Sequence, residues 1–158
     1  MSWEDEQARF SASGYVHATA VLIGDAGILI RGDSGAGKSS LALALIDAAG
    51  RARFARLVGD DRVRLEVRGD RLIVSGHPAI AGKIERFGQG ITQLPHEDAA
   101  VVRLIVDLTK RDFTPRLPES EEQEERIFGV ANPRLVLSSG RLAEENARTI
   151  VNWLQDHI

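Results

Sequence analysis

Gly32-Asp33-Ser34-Gly35-Ala36-Gly37-Lys38-Ser39 satisfies the phosphate-loop pattern G-x-x-x-x-G-K-[ST] at every fixed position. Upstream, Val21-Leu22-Ile23-Gly24-Asp25-Ala26-Gly27-Ile28-Leu29-Ile30 ends in an apolar run long enough for a buried strand. Downstream, Ser39 to Ala49 is rich in Leu and Ala and free of Pro and Gly, and reads as a helix. Strand, glycine-rich turn and helix, in that order, are what phosphate binding requires. The glycines let backbone N–H groups close around a polyphosphate, and the helix N-terminus adds partial positive charge. Lys38 is placed to reach the β- and γ-phosphates and Ser39 to offer its hydroxyl to Mg²⁺. Gly32, Asp33, Ser34, Gly35, Ala36, Gly37, Lys38, Ser39 and the adjoining Ser40 are therefore the expected nucleotide-binding segment.

The chain has 158 residues, one domain's worth. A chain of that length buries roughly 70% of its unfolded surface without disulfides or metals. Residues 1–14 read as a lead-in and 15–158 as the phosphate-loop domain. With 43% hydrophobic and 27% charged residues the composition is that of a soluble globular protein, and the net charge of −3 argues against a polyanion-binding surface. Nucleic acid is not the expected partner. The absence of cysteine excludes disulfides, thiolate metal sites and a Cys nucleophile. No apolar run approaches the ~20 residues of a membrane span. The first ten residues, mixed and acidic, do not read as a signal or transit peptide, so neither a membrane nor export is expected and the cytoplasm is the default location.

Two strands, roughly Val16 to Ile23 and Gly27 to Ile30, joined at Gly24-Asp25-Ala26-Gly27, are expected to form a hairpin leading into the phosphate loop. That hairpin would bring His17 back within reach of the loop. The helix is expected to stop at Gly50. A basic connector, Arg51 to Arg56, precedes Leu57-Val58-Gly59-Asp60-Asp61-Arg62-Val63-Arg64-Leu65-Glu66-Val67. Here two carboxylates separate an apolar pair from an alternating strand, whose hairpin partner is Arg71-Leu72-Ile73-Val74. Carboxylates at such a point are costly unless a cation or hydrogen-bond donors receive them. Beside a phosphate loop, one can serve the metal and another can accept the proton of an attacking hydroxyl.

Further on, Ile80 to Ile91 carries three glycines and Glu85, a buried-looking carboxylate, and reads as a loop. Val101 to Leu108 is a strand, apolar except for Arg103 and Asp107. Thr109 to Phe128 turns polar and includes five glutamates between Glu119 and Glu125, the composition of a solvated loop or short exposed helix. Leu135-Val136-Leu137 is a last short strand. In the terminal helix Ala143, Ala147, Ile150, Val151, Leu154 and Ile158 share one face. A single α/β domain on a mixed sheet follows, with the phosphate-loop helix on one face and the terminal helix packed nearby.

With these pieces placed, the stretch from about Tyr15 to Arg141 resembles the catalytic domain of HPr kinase/phosphorylase, which phosphorylates a serine of the phosphocarrier protein HPr. The resemblance rests on His17 before the hairpin, on the G-D-S-G-x-G-K-S loop, and on Asp60-Asp61-Arg62-Val63 for the family's D-D-R-V. Arg116-Leu117 and Gly140-Arg141 match further family pairs. The E-x-R-G-x-G-I signature is kept only in part, as Glu85-Arg86-Phe87-Gly88-Gln89-Gly90-Ile91, with Phe87 where Arg is usual. In a strand-like segment, a one-residue displacement sends the Arg86 guanidinium to the opposite face.

The resemblance implies the fold related to phosphoenolpyruvate carboxykinase, a short form without the family's N-terminal domain, and a homohexamer. It also implies ATP and Mg²⁺ as cofactors and HPr as the partner. Asp60 would take the serine proton, with Asp61 and His17 in support. Glu85 would hold metal-bound water beside Ser39, and Arg116 and Arg141 would contact phosphate or the carrier. The loss of the signature Arg implies weak phosphorolysis. A small-molecule kinase, or a nucleotide-dependent switch without transfer, fits the loop and acidic pair as well.

Overall fold

The computed structural model describes residues 13–50, 53–86, 88–110 and 124–158. Its main sheet has nine strands. They begin with β1 (Ser13–Val16), β2 (Thr19–Ile23) and β3 (Ala26–Arg31), followed by helix α1 (Lys38–Ala49). Then come β4 (Ala55–Gly59), β5 (Val63–Arg68), β6 (Arg71–Gly76) and a short 3₁₀ turn, Pro78–Ile80. A separate two-stranded hairpin, β7 (Lys83–Arg86) with β8 (Gly90–Gln93), precedes β9 (Ala99–Thr109), β10 (Glu124–Ile127), β11 (Val130–Ser138) and helix α2 (Ala143–His157). The strand order is β1-β5-β6-β9-β3-β2-β4, with β11 also paired to β9 and β10 to β11.

β3 is buried along its length except at Arg31, as a strand covered on both faces must be. It runs parallel to β9, and β9 runs parallel to β11. The C-terminal ends of these three strands therefore share one edge of the sheet, and the phosphate loop leaves from it. On one face Val21, Ile23, Ile28, Ile30, Leu104 and Val106 pack with Leu41, Leu45, Ile150 and Leu154 of the two helices. On the other, Leu29 and Ile105 meet Val63, Leu65, Leu72 and Val74 of the β5–β6 arm. No helix among the described residues is long and apolar enough to cross a membrane.

Several expectations are corrected here. The first hairpin strand is split at His17-Ala18, because β1 pairs with β5 while β2 pairs with β3 and β4. The phosphate-loop helix does stop at Gly50, as expected, although that glycine stays right-handed at φ −62° and bonds back to Ile46. The glycine-bearing stretch from Ile80 to Ile91 forms the β7–β8 hairpin rather than a loop. Glu124 and Glu125 lie in β10 rather than in a solvated loop. Ile158, just past the end of α2, is 47% exposed, whereas the polar Asn146 inside it is buried with Nδ2 donating to the Ser138 carbonyl at 2.9 Å.

The charged exception in β9 has a structural use. Arg31 grips both oxygens of Asp107, Nε at 2.7 Å and Nη2 at 2.8 Å, and also reaches Glu125 at 2.7 Å. Arg134 of β11 donates to the same Asp107 carboxylate. Burial by itself would push the Asp107 carboxyl up, but the Arg31 and Arg134 guanidiniums outweigh it and hold it below the usual carboxylate range. A depressed folded value stabilises the fold above the ordinary carboxylate pKa of about 4, and that stability is lost as pH falls through the folded value. Asp107→Asn should therefore cost on the order of 2–3 kcal/mol at pH 7, less than a fully buried pair because Arg31 keeps Glu125. Urea unfolding at pH 7 and pH 3 checks this. The variant's deficit should shrink in acid, and equal midpoints at pH 7 would contradict it.

Candidate active site

A cleft of about 400 Å³ opens where α1 meets the ends of β3 and β4, lined by Ser34, Gly35, Gly37, Lys38, Ser39, Ser40, Asp60, Asp61 and Glu85. Gly35 and Gly37 adopt φ +82° and +96°, and a Cβ built on either would have nothing within 4 Å. These backbone positions favour glycine, and the space before them is open to a bulky anion. Gly32, Asp33 and Ala36 form the back of the loop. Lys38 Nζ donates to the carbonyls of Gly32 at 2.9 Å and Asp33 at 3.1 Å, and the Ala36 N–H donates to Asp33 O at 2.9 Å. Lys38 is 7% exposed, so its ammonium is held inside the loop.

β4 ends in the acidic pair. Asp60 is buried, and its Oδ1 accepts from Ser39 Oγ at 2.7 Å and from Thr19 Oγ1 at 2.9 Å. Asp61 is exposed at φ +61°, its N–H donating to Thr19 Oγ1 at 3.1 Å. Its carboxylate has no partner among the described residues. Thus the two adjacent carboxylates are not equivalent. One is locked against the loop serine and the other is exposed on the rim of the cleft.

The residues present fit a magnesium nucleotide. The open glycines and the ammonium suit a polyphosphate, and a serine hydroxyl beside a carboxylate is the hard-oxygen pair that Mg²⁺ takes from proteins. Among the described residues no cluster of three His, Cys, Asp or Glu side chains could hold a metal alone. Mg²⁺ needs none, because phosphates and water complete its shell. The lining sets one ammonium against three carboxylates, so the cleft repels a bare polyphosphate unless a divalent cation enters with it.

The other expected site residues are dispersed. Glu85 lines the cleft from β7 but is exposed, not buried, and has no partner among the described residues. His17 is exposed in the bend between β1 and β2 and is not among the cleft residues. Its neighbours Val16, paired with Val63, and Thr19 place it beside the acidic turn. Arg141 follows β11 at the same sheet edge as the loop, exposed and 3.4 Å from Glu145. Arg116 and Phe87 lie outside the described residues. Thr19 was missed by sequence reasoning. Its only signal is a hydroxyl in a run of apolar residues, Ala18-Thr19-Ala20-Val21.

Sheet and cleft together define a phosphate-loop α/β fold on a mixed sheet. Within that class the chain belongs to the HPr Serine kinase C-terminal domain family, whose sequence profile matches residues 8–141. It is 34% identical over 135 residues to the HPr kinase/phosphorylase of Lacticaseibacillus casei (strain BL23), covering 77% of this chain and 40% of that one. It is 35% identical over 140 residues to the enzyme of the same name from Streptococcus pneumoniae (strain Hungary19A-6), covering 81% and 43%. The chain thus spans about 40% of the length of the curated relatives it matches. The solved structure of the Hpr(Ser) kinase/phosphatase from Coxiella burnetii superposes with a TM-score of 0.74 at 28% identity, covering 90% of this chain and 97% of that one.

Proposed function

We propose that this chain transfers the γ-phosphoryl group of ATP to a serine of the phosphocarrier protein HPr. The observation that carries the reading is the division of labour in the acidic pair, with Asp60 bonded to the loop serine and Asp61 free on the rim of the same cleft. Family membership supports the choice of acceptor. The amides of the phosphate loop and Lys38 hold the β- and γ-phosphates, and Ser39 and Asp60 hold Mg²⁺, with Glu85 assigned to its water shell. The ion supplies charge neutralisation between phosphates and carboxylates. Asp61 accepts the proton as the acceptor oxygen forms its bond to the γ-phosphorus. The bond to the bridging oxygen breaks, and ADP leaves.

This moves the base from Asp60, where the family resemblance put it, to Asp61. Asp60 Oδ1 already accepts two hydroxyl protons at 2.7 and 2.9 Å, whereas the exposed Asp61 carboxylate accepts none among the described residues. The test is incubation with γ-labelled ATP, Mg²⁺, purified HPr and a pool of small metabolites. Label is expected on an HPr serine. Label on a metabolite would show a small-molecule kinase instead, and release of phosphate alone would show a switch.

A further inference from the structure

A second cavity, of about 480 Å³, opens beside the ends of β4 and β6 and shares no lining residue with the phosphate-loop cleft. Its volume is in the range of small-molecule sites. Val58, Pro78 and Ala81 give it an apolar wall, and Tyr15 adds a ring that contacts His77 at 5.3 Å and Arg62 at 5.5 Å. Glu97, also in the lining, is half-buried, yet its carboxylate has no partner among the described residues. That arrangement is costly unless a cation or a donor meets it. Asp98 adds a second carboxylate, while the guanidinium of Arg64 already bonds Glu66 at 3.1 Å. The wall therefore favours a positively charged ligand. Among the described residues no three His, Cys, Asp or Glu side chains cluster to hold a metal ion, so an organic cation fits better than a bare metal.

The cavity is tied to the acidic pair through the backbone. The Glu97 N–H donates to the Leu57 carbonyl at 2.9 Å, and the Gly76 N–H to the Asp98 carbonyl at 3.3 Å. A Cβ built on Gly59 would lie 3.1 Å from Gly76 Cα, and one on Gly76 would run into the Val58 carbonyl, so β4 and β6 touch main chain to main chain. The next residue after Gly59 is Asp60.

We propose that this cavity is a second ligand site, which takes a small molecule carrying a protonated amine on an apolar body and is coupled to the phosphate-loop cleft through β4. The amine pairs with Glu97, and the body lies on Val58, Pro78 and Ala81. Two sources share this chemistry: a free amino acid, whose carboxylate would turn to Arg64, and a diamine, which has no carboxylate. A ligand that fills the cavity orders the end of β4 ahead of nucleotide binding, so the two ligands assist each other. The coupling rests on the reading of Asp60 as a holder of Mg²⁺, and the site itself does not.

The full chain is followed by thermal unfolding with each of the protein amino acids and with putrescine, at up to about 10 mM. At about ten times its Kd, a bound amine should raise the unfolding midpoint by about 3–6 °C. In Glu97→Gln that rise should vanish, while the unliganded midpoint stays within about 2 °C of wild type. A rise with an amino acid but not with putrescine identifies the amino acid as the source, and the reverse identifies the diamine. No rise with any probe, or a rise that survives in Glu97→Gln, would overturn the site. Should Glu97→Gln fail to fold, Ser75→Leu, which fills the cavity from β6, is judged by the same loss. With the amine bound, affinity for an ATP analogue in Mg²⁺ should increase about 3- to 10-fold, and unchanged affinity would overturn the coupling. None of these readouts uses HPr, so failure of the kinase reading would be seen separately.

Discussion

Replacing Lys38 by Ala is expected to lower affinity for an ATP analogue by about 100-fold or more and to abolish transfer, while the fold survives. Lys38 is the one cation among the residues lining the cleft, facing the carboxylates of Asp60, Asp61 and Glu85. Without it the cleft presents only negative side chains to a polyphosphate, and a preorganised charge of this kind contributes several kcal/mol in such sites. The structure buries Lys38, with Nζ holding two loop carbonyls. The substitution should therefore also loosen the loop, at a cost of roughly 1–3 kcal/mol. Helix α1 keeps its anchorage through Leu41, Ala42, Leu45 and Ala49, so global unfolding should remain cooperative. Calorimetric titration beside circular dichroism checks both halves. Equal analogue affinity in a folded variant would remove the assignment of the whole loop.

The second large effect separates the two carboxylates. Asp61→Asn should lower transfer by on the order of 10²- to 10⁴-fold with nucleotide affinity within a few-fold, the pattern of a lost general base. Asp60→Asn should instead weaken Mg²⁺-dependent nucleotide binding, because its oxygen is the one bonded to Ser39. Titrating analogue affinity and single-turnover rate against Mg²⁺ in both variants resolves them. The reverse pattern, with Asp60→Asn slow but saturable at wild-type Mg²⁺ and Asp61→Asn weak in binding, would return the base to Asp60.

Much of this was legible in the sequence, for identifiable reasons. The loop is readable because its backbone can be built only with glycines at fixed spacing around a Lys-Ser pair, and Gly35 and Gly37 do take positive φ. Helix α1 follows Leu/Ala content, β5 follows strict alternation, and β6 follows as its partner across the Gly69-Asp70 turn. What was not legible depends on distant partners. The distinct environments of Asp60 and Asp61 arise from Thr19, 41 residues from Asp60. Glu125 reads as part of an acidic run, yet Arg31, 94 residues away, draws it into a strand. Ser13 and Gly14 read as lead-in and Val16 as the start of the next strand because nothing local reveals that Ser13 to Val16 pairs with β5. Glu85 reads as buried because it follows apolar Ile84, but alternation in β7 turns it outward while Ile84 enters the core.

The most direct test of the central claim is the consumption of ATP by the purified chain with and without HPr, with phosphoserine on HPr counted in parallel. HPr should accelerate ATP consumption, one phosphoserine should form per ATP used, and an HPr whose acceptor serine is replaced by Ala should do neither. ATP consumption that is indifferent to HPr, with no phosphoserine formed, would contradict the account.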